Sequence, residues 1–287
     1  MKALVRKCVD FVIGRQRRVH WTFRSQQQLS LLNFRLDQFF SGKSEFQKAA
    51  PPNAIFIVGC GHSGTSLLNK ILGTHPQVNP IGGESELFLA NRLHLPTVED
   101  CITEWLSQTT EKRASHFCEK TPRHIHKTAQ IQAFFPEVKF IYVTRNPLDC
   151  VASLYKRYEN LESAIFRYEF DNYRGLSIVK NENVYRLKYE SLITDFKSTV
   201  ADLLEFLDLP KTDLSNFHEI KTNYDSHVIS KPSSYAANSH SDMRNWQVNQ
   251  PIFDSRGSHR EILKKEEVEL CQSTLANLAR KLDYAFD

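Results

Sequence analysis

Residues 55–72, IFIVGCGHSGTSLLNKIL, lead from an apolar run directly into a glycine-rich turn and then into a helical pattern. Gly59, Gly61 and Gly64 allow the backbone to curl so that successive N–H groups point at one anion. The helix that follows adds the positive end of its dipole at the same place. A strand, such a turn and a helix together predict an α/β fold with an anion site beyond the end of this strand.

Strand-like and helical segments alternate along the rest of the chain. The predicted strands lie at 54–58, around 118, at 139–145 and at 183–189, and the predicted helices at 65–72, 124–134, from 147, at 195–207 and at 260–285. This order predicts a three-layer α/β P-loop fold in which a short parallel sheet is flanked by helices. A polar, proline-containing segment at 41–53 places the start of the main α/β domain near Pro51, so that the domains are 1–50, a helical N-terminal extension, and 51–287.

Positive charge is concentrated in that extension. The net charge of the whole chain is only +4, which argues against a nucleic-acid partner, whereas residues 1–24 alone carry seven Lys or Arg and one Asp. Apolar residues of the first twelve recur at helical spacing and predict a basic amphipathic helix. Such a helix could lie on an anionic membrane surface, act as an organellar targeting segment, or pack on the surface of its own domain.

Cysteine usage and hydropathy bear on the compartment. The six cysteines are scattered without a CxxC pair, so the sequence predicts neither a zinc site nor a disulfide framework. No stretch reaches the ~20 apolar residues of a membrane-spanning helix. We therefore expect a cytoplasmic protein, with residues 1–24 as the point of any peripheral membrane contact.

The second informative segment is KFIYVTRNPLDCVASLYKRY, residues 139–158. Asn146 is placed to cap a helix whose first position is Pro147. Arg145 stands at the end of the preceding strand, and Ser153 lies about two turns into the helix. Both side chains can therefore bind one phosphate group.

Together the two segments resemble sulfotransferases that use 3′-phosphoadenosine 5′-phosphosulfate (PAPS), whose glycine loop reads Gly-x-x-[Arg/Lys/His]-Ser/Thr-Gly-Thr-Ser/Thr. The resemblance implies transfer of a sulfuryl group from PAPS to a hydroxyl, less often an amine, of a glycan or other biomolecule, without a metal ion. The implied 5′-phosphosulfate ligands are Gly61, His62, Ser63, Gly64, Thr65 and Ser66. Arg145 and Ser153 are implied to bind the 3′-phosphate, and Arg157 matches a further arginine of tyrosylprotein sulfotransferases.

Three other segments resemble the same family. CEKTPRHI at 118–125 implies that Lys120 contacts the transferred group. RLKYESL at 186–192 makes Tyr189 a candidate nucleotide contact, and SHSDMRNWQ at 239–247 makes Arg244 one. We expect Lys120 to supply positive charge, assisted by His62, because His62 replaces the lysine or arginine usual in the loop.

The base that takes the acceptor proton is predicted in GGESELF, residues 82–88. Glu84 matches the glutamate of some family members with a one-residue offset, and Glu86 and His62 are rival candidates. Either glutamate could instead cap a helix that begins there. Acceptor specificity is expected from variable loops at 85–117 and 159–182.

Other readings of the same residues stay open. A P-loop kinase using ATP would carry a lysine at Thr65, and a catalytically silent homologue would bind nucleotide or glycan without turnover. His124 and His126 form an HxH pair that we interpret as surface histidines rather than metal ligands. The aromatic residues Phe166, Tyr168, Phe170 and Tyr173 are expected in the core or in an acceptor cleft wall.

Overall fold

The computed structural model describes residues 53–89, 95–219, 245–252 and 254–286, with side chains from residue 100 onward in the second range. The predicted N-terminal extension, the domain boundary near Pro51 and the candidate nucleotide contact Arg244 lie outside these residues.

Five parallel strands form one sheet. They are β1 (Asn53–Gly59), β2 (Val78–Pro80), β3 (His116–Lys120), β4 (Lys139–Thr144) and β5 (Val184–Lys188). Their order across the sheet is β2-β3-β1-β4-β5, and every neighbouring pair is parallel. The central strand β1 places Ile57 opposite Lys120 on one side and Ile141 on the other. The predicted short parallel sheet is confirmed, and β2 is a strand that the sequence pattern did not indicate.

Eight α-helices connect and cover these strands in the described part of the chain. They are α1 (Thr65–Leu72), α2 (Leu95–Glu111), α3 (Thr128–Phe134), α4 (Pro147–Tyr158), α5 (Leu161–Ile178), α6 (Tyr189–Thr194), α7 (Phe196–Phe206) and α8 (Lys265–Lys281). Two 3₁₀ helices, Pro122–His126 and Ser258–Glu261, precede α3 and α8. The segments 85–117 and 159–182, predicted as loops, contain the helices α2 and α5, so the loop conformation was predicted wrongly. Their part in acceptor specificity stays a prediction.

The sheet separates two apolar clusters. Alternate residues of a strand point to opposite faces, so Phe56, Phe117 and Phe140 pack on one side with residues of α4, α5 and α8. Ile55, Ile57 and Ile141 pack on the other side with residues of α1 and α7. Helices therefore cover both faces, as the predicted three-layer fold requires. Within the residues described, no helix is both long and apolar enough to cross a membrane.

Candidate active site

A cavity of about 470 Å³ opens beyond the carboxyl ends of the strands. Its lining contains ten of the predicted site residues: Gly61, His62, Gly64, Thr65, Ser66, Glu84, Arg145, Ser153, Arg157 and Tyr189. Ser63 and Lys120 are fully buried and outside the lining. The volume is typical of a small-molecule site, and the location is the usual ligand site of an open α/β sheet.

The glycine loop is fitted closely to its surroundings. Gly64 has a φ of 94°, and a Cβ at this position would lie 2.4 Å from Cδ2 of Tyr189. Any side chain here would be strained in its backbone and would also meet the Tyr189 ring. The hydroxyl of Ser63 lies 3.6 Å from Sγ of Cys150, and its N–H donates to the Cys60 carbonyl at 3.3 Å. Ser63 thus ties the loop to α4 and closes its turn.

His62 joins the glycine loop to the second phosphate motif. Its Nδ1 lies 2.8 Å from Oγ of Ser153, and its carbonyl accepts a hydrogen bond from Nη1 of Arg145 at 3.1 Å. His62 has a left-handed φ of 71°, which non-glycine residues rarely adopt. The two motifs identified separately in the sequence are therefore hydrogen-bonded to each other at His62, in addition to the contact between Ser63 and Cys150.

Arg145 is held at the cavity edge by further contacts. Its guanidinium lies 4.8 Å from the centre of the Tyr189 ring, and its Nη2 donates to Oγ of Ser255 at 3.1 Å. The Tyr189 hydroxyl lies 3.0 Å from the same Ser255 oxygen. Nε of Arg145 is buried and makes no hydrogen bond to any described residue. Sequence reasoning missed Ser255, because a lone serine 110 residues after Arg145 belongs to no recognisable pattern.

Lys120 and Glu84, both predicted to be catalytic, form an ion pair. Nζ of Lys120 lies 2.7 Å from Oε1 of Glu84, and the side chains are 0% and 26% exposed. Lys120 ends β3 and Glu84 follows β2, so adjacent strands bring the two together. Lys120 is therefore a fully buried, paired lysine and not a solvated surface one.

The segment that carries Glu84 and Glu86 is held by hydrogen bonds from four consecutive backbone N–H groups. Ser85 N donates to Oε1 of Glu119, Glu86 N to Oγ1 of Thr121, Leu87 N to Oγ of Ser85, and Phe88 N to Nε2 of His124, at 3.2–3.3 Å. Residues 81–89 contain no helix, and Glu86 has a left-handed φ of 51°. The alternative that Glu84 or Glu86 caps a helix beginning there is therefore wrong. We call residues 84–88 the carboxylate loop.

The buried carboxylate of Glu119 is the centre of this network. It accepts hydrogen bonds from Oγ1 of Thr121 at 2.6 Å, Oγ of Ser85 at 2.8 Å and Nδ1 of His124 at 2.9 Å. Because Nε2 of His124 accepts the Phe88 N–H, the imidazole proton is on Nδ1. Burial alone would raise the pKa of Glu119, but His124, Thr121 and Ser85 outweigh it and hold the pKa below its ordinary value.

The prediction that both HxH histidines lie at the surface was wrong for His124, whereas the His126 side chain is 18% exposed. His124 is fully buried, and His126 is 2.7 Å from Oδ1 of Asp171 and stacks on Phe170. The second carboxylate oxygen of Asp171 accepts a hydrogen bond from Nε of Arg167. Both histidines thus have carboxylate partners, which sequence spacing could not indicate. No group of three or more His, Cys, Asp or Glu side chains among the described residues could hold a metal ion.

Two arginines of the cavity lining were not predicted. Arg123 follows β3, and Arg167 lies on α5. Burial would lower the pKa of Arg167, but Asp171 outweighs it and raises the pKa above its ordinary value. The sequence signal was the Arg-x-x-x-Asp spacing of residues 167–171, which places both side chains on one helix face.

Comparisons with known proteins agree with the fold. A model of the sulfotransferase family matches residues 87–213, a range that includes Lys120, Arg145, Ser153 and Tyr189. A sulfotransferase domain from the curacin biosynthetic pathway has a TM-score of 0.55 and 17% identity, covering 83% of this chain and 100% of that one. The chain has the sulfotransferase fold. The predicted resemblance to this family is confirmed.

Other sulfotransferases of known structure have similar folds. Mouse sulfotransferase SULT7A1, complexed with PAP, has a TM-score of 0.55 and 13% identity, covering 82% of this chain and 90% of that one. Sulfotransferase STF9 from Mycobacterium avium has a TM-score of 0.51 and 14% identity, covering 95% and 83%. An uncharacterized protein of Aquifex aeolicus (strain VF5) is 24% identical over 201 residues; the match covers 55% of this chain and 26% of that relative. The chain thus spans about a quarter of this curated relative's length.

Proposed function

We propose that this protein transfers a sulfuryl group from PAPS to an acceptor hydroxyl. The observation that carries the proposal is the junction at His62, where the glycine loop and the Arg145–Ser153 pair meet at the wall of one cavity. A donor with phosphate groups at both its 5′ and 3′ positions needs two such anion sites close together. ATP has no 3′-phosphate, and Thr65 stands where an ATP-hydrolysing loop carries its lysine.

The residues present fit this donor. N–H groups at the start of α1, with the hydroxyls of Thr65 and Ser66, are placed to bind the 5′-phosphosulfate. Arg145 and Ser153 would bind the 3′-phosphate, and the exposed Arg157 lies on the same helix one turn beyond Ser153. The buried Nε of Arg145 is a hydrogen-bond donor that a ligand can satisfy.

In the proposed reaction, the acceptor oxygen forms a bond to sulfur while the bond from sulfur to the 5′-phosphate oxygen breaks. The products are a sulfate ester and 3′,5′-adenosine bisphosphate. The hydroxyl proton moves to Glu84, which lines the cavity and is oriented by its ion pair with Lys120. His62 is hydrogen-bonded to Ser153 and thus belongs to the donor side, where it can donate to the leaving phosphate.

Turnover of ³⁵S-labelled PAPS against a panel of hydroxyl acceptors tests the proposal. We expect wild type to form labelled product, Glu84→Gln to lose at least about a hundredfold in kcat, and Glu86→Gln to lose far less. Lys120→Ala should also lose turnover, because it removes the cation that orients Glu84. Undiminished turnover in Glu84→Gln would exclude it as the base, and PAPS binding without turnover of any acceptor would favour the catalytically silent homologue.

A further inference from the structure

The cavity has a donor side and an acceptor side, separated by the glycine loop. Arg145 and Tyr189 follow β4 and β5, whereas Glu84 and Arg123 follow β2 and β3. In the sheet, β1 lies between these two groups of strands, so the loop that follows β1 lies between their side chains. The proposed 3′-phosphate site is thus on one side of the loop, and the carboxylate loop with the proposed base is on the other.

The acceptor side carries two arginines that the reaction described above does not use. Arg167 is 6% exposed; its Nη1 lies 3.4 Å from the Tyr158 hydroxyl, and its Nη2 lies 4.0 Å from where a Cβ on Gly61 would be. Its guanidinium is therefore placed beside the glycine loop, at the cavity wall. Asp171 holds the guanidinium in place by accepting a hydrogen bond from Nε.

Arg123 lines the same cavity, and the positive charge of Arg167 acts on it. Burial, and then the positive charge of Arg167, lower its pKa; the negative charges of Asp171 and Glu86 act in the opposite direction but are outweighed. The Arg123 guanidinium is thus in surroundings that a further negative charge would make more favourable.

The charges of the whole lining point in the same direction. Among the described residues, five cationic side chains line the cavity, Arg123, Arg145, Lys156, Arg157 and Arg167, against two carboxylates, Glu84 and Glu86. The 3′-phosphate of the donor accounts for Arg145 and Arg157, on the donor side. A neutral hydroxyl acceptor requires a base, but it does not call for the buried Arg167 and the partly buried Arg123 in the same lining, since taking a guanidinium out of water is costly.

We infer that Arg123 and Arg167 form an oxyanion subsite for the acceptor, so that the acceptor carries a carboxylate, sulfate or phosphate group near the hydroxyl that is sulfated. This inference rests on the proposed function, because it gives a role to the acceptor side of the cavity whose donor side is proposed to bind PAPS. Arginine is suited to the role, since its planar fork donates two parallel hydrogen bonds to one oxyanion.

Calorimetric titration of inorganic sulfate into protein saturated with 3′,5′-adenosine bisphosphate tests the subsite, because the bisphosphate fills the donor's phosphate sites. We expect wild type to bind sulfate and Arg123→Gln to bind it at least about tenfold more weakly. Lys156→Gln is the matched control, because it removes the same charge from an exposed position in the lining. The inference would be overturned if Lys156→Gln lost as much sulfate affinity as Arg123→Gln, or if wild type bound no sulfate.

A second titration replaces the bisphosphate with PAPS. Sulfate binding that persists supports an acceptor subsite, whereas binding abolished by PAPS would assign the arginines to the donor's own sulfuryl group and overturn the inference. Arg167→Lys, which keeps the charge beside Asp171 but loses the fork, should weaken sulfate binding while bisphosphate affinity and Tm stay near wild type. Failure of wild type to bind the bisphosphate would instead count against the proposed function, so the two failures are distinguishable.

Discussion

At the scale of single residues, Glu119 shows what sequence reasoning could and could not reach. Lys120 and Glu84 were predicted from their segments, and the structure pairs them. Glu119 is adjacent to Lys120 in the chain, but its role depends on Ser85, a residue 34 positions earlier. A charged residue in a strand gives no sign of whether it is buried, because its partners come from another strand's loop.

Glu119→Gln should impair catalysis without affecting donor affinity. Ser85 and His124 donate to different oxygens of the Glu119 carboxylate, and glutamine has only one accepting oxygen, so one of these hydrogen bonds is lost and the carboxylate loop loses part of its anchorage. We expect kcat to fall at least about tenfold, and the free energy of unfolding to fall by about 1–3 kcal/mol. Steady-state kinetics and urea unfolding measure these effects, with the exposed Glu137→Gln as control. An unchanged kcat in a folded Glu119→Gln protein would contradict the positioning role.

Gly64 and Gly82 provide a matched pair of glycine substitutions. An alanine at Gly64 would clash with Tyr189, whereas a Cβ on Gly82 has nothing within 4 Å. We expect Gly64→Ala to lose about 1–3 kcal/mol of stability and to weaken binding of 3′,5′-adenosine bisphosphate, and Gly82→Ala to stay within about 0.5 kcal/mol. Thermal unfolding and calorimetry compare the two. Equal behaviour would mean that the close packing of loop and ring is unimportant.

At the scale of elements, local signals were reliable where a cap or turn defines them. Asn146 accepts hydrogen bonds from the N–H groups of Leu148 and Asp149, and Pro147 begins α4, as predicted. By contrast, α5 was interpreted as a variable loop. Its buried face includes Arg167, Asp171 and Asn172. Polar residues at buried positions interrupt the periodic spacing of apolar residues by which a helix is recognised in a sequence.

Substitutions at the N-caps of α4 and α5 distinguish an effect on stability from an effect on ligand binding. The side chain of Asn160 caps α5 through Ser163 N, as that of Asn146 caps α4. Each asparagine-to-alanine change should cost about 1 kcal/mol of stability. Only Asn146→Ala should also weaken bisphosphate binding, because α4 carries Ser153 and adjoins Arg145. Calorimetry on both variants checks this, and equal affinities in the two would show that the start of α4 does not position the site.

β3 begins with a histidine whose protonation should weaken the fold. Burial, and then the charge of Lys139, lower the pKa of His116 to about 4. As pH falls below about 6.5, the unfolded chain takes up this proton and the folded protein does not, so stability decreases until about pH 4. Urea unfolding between pH 7.5 and 4.5 should therefore show a smaller decrease in His116→Gln than in wild type. The same decrease in unfolding free energy in both proteins would contradict the lowered pKa of His116.

At the scale of the whole molecule, the order of strands and helices predicted the fold and the edge of the sheet where the site lies. The closure of the site was not predictable, because it uses contacts between distant segments. Asp149 on α4 accepts hydrogen bonds from Gly257 N at 2.9 Å and His259 N at 3.1 Å, which fixes the segment that brings Ser255 to Arg145. Sequence spacing carries no information about such pairs when more than 100 residues separate them.

The most direct test of the central claim is calorimetric titration of wild type and Arg145→Ala with 3′,5′-adenosine bisphosphate and with ATP. We predict that wild type prefers the bisphosphate and that Arg145→Ala loses about 10- to 100-fold of that affinity, since a charged hydrogen-bond pair to phosphate is removed. The exposed Lys180→Ala is the charge-matched control. A preference for ATP, or bisphosphate affinity unchanged in Arg145→Ala, would contradict the 3′-phosphate site and with it the proposed sulfuryl transfer.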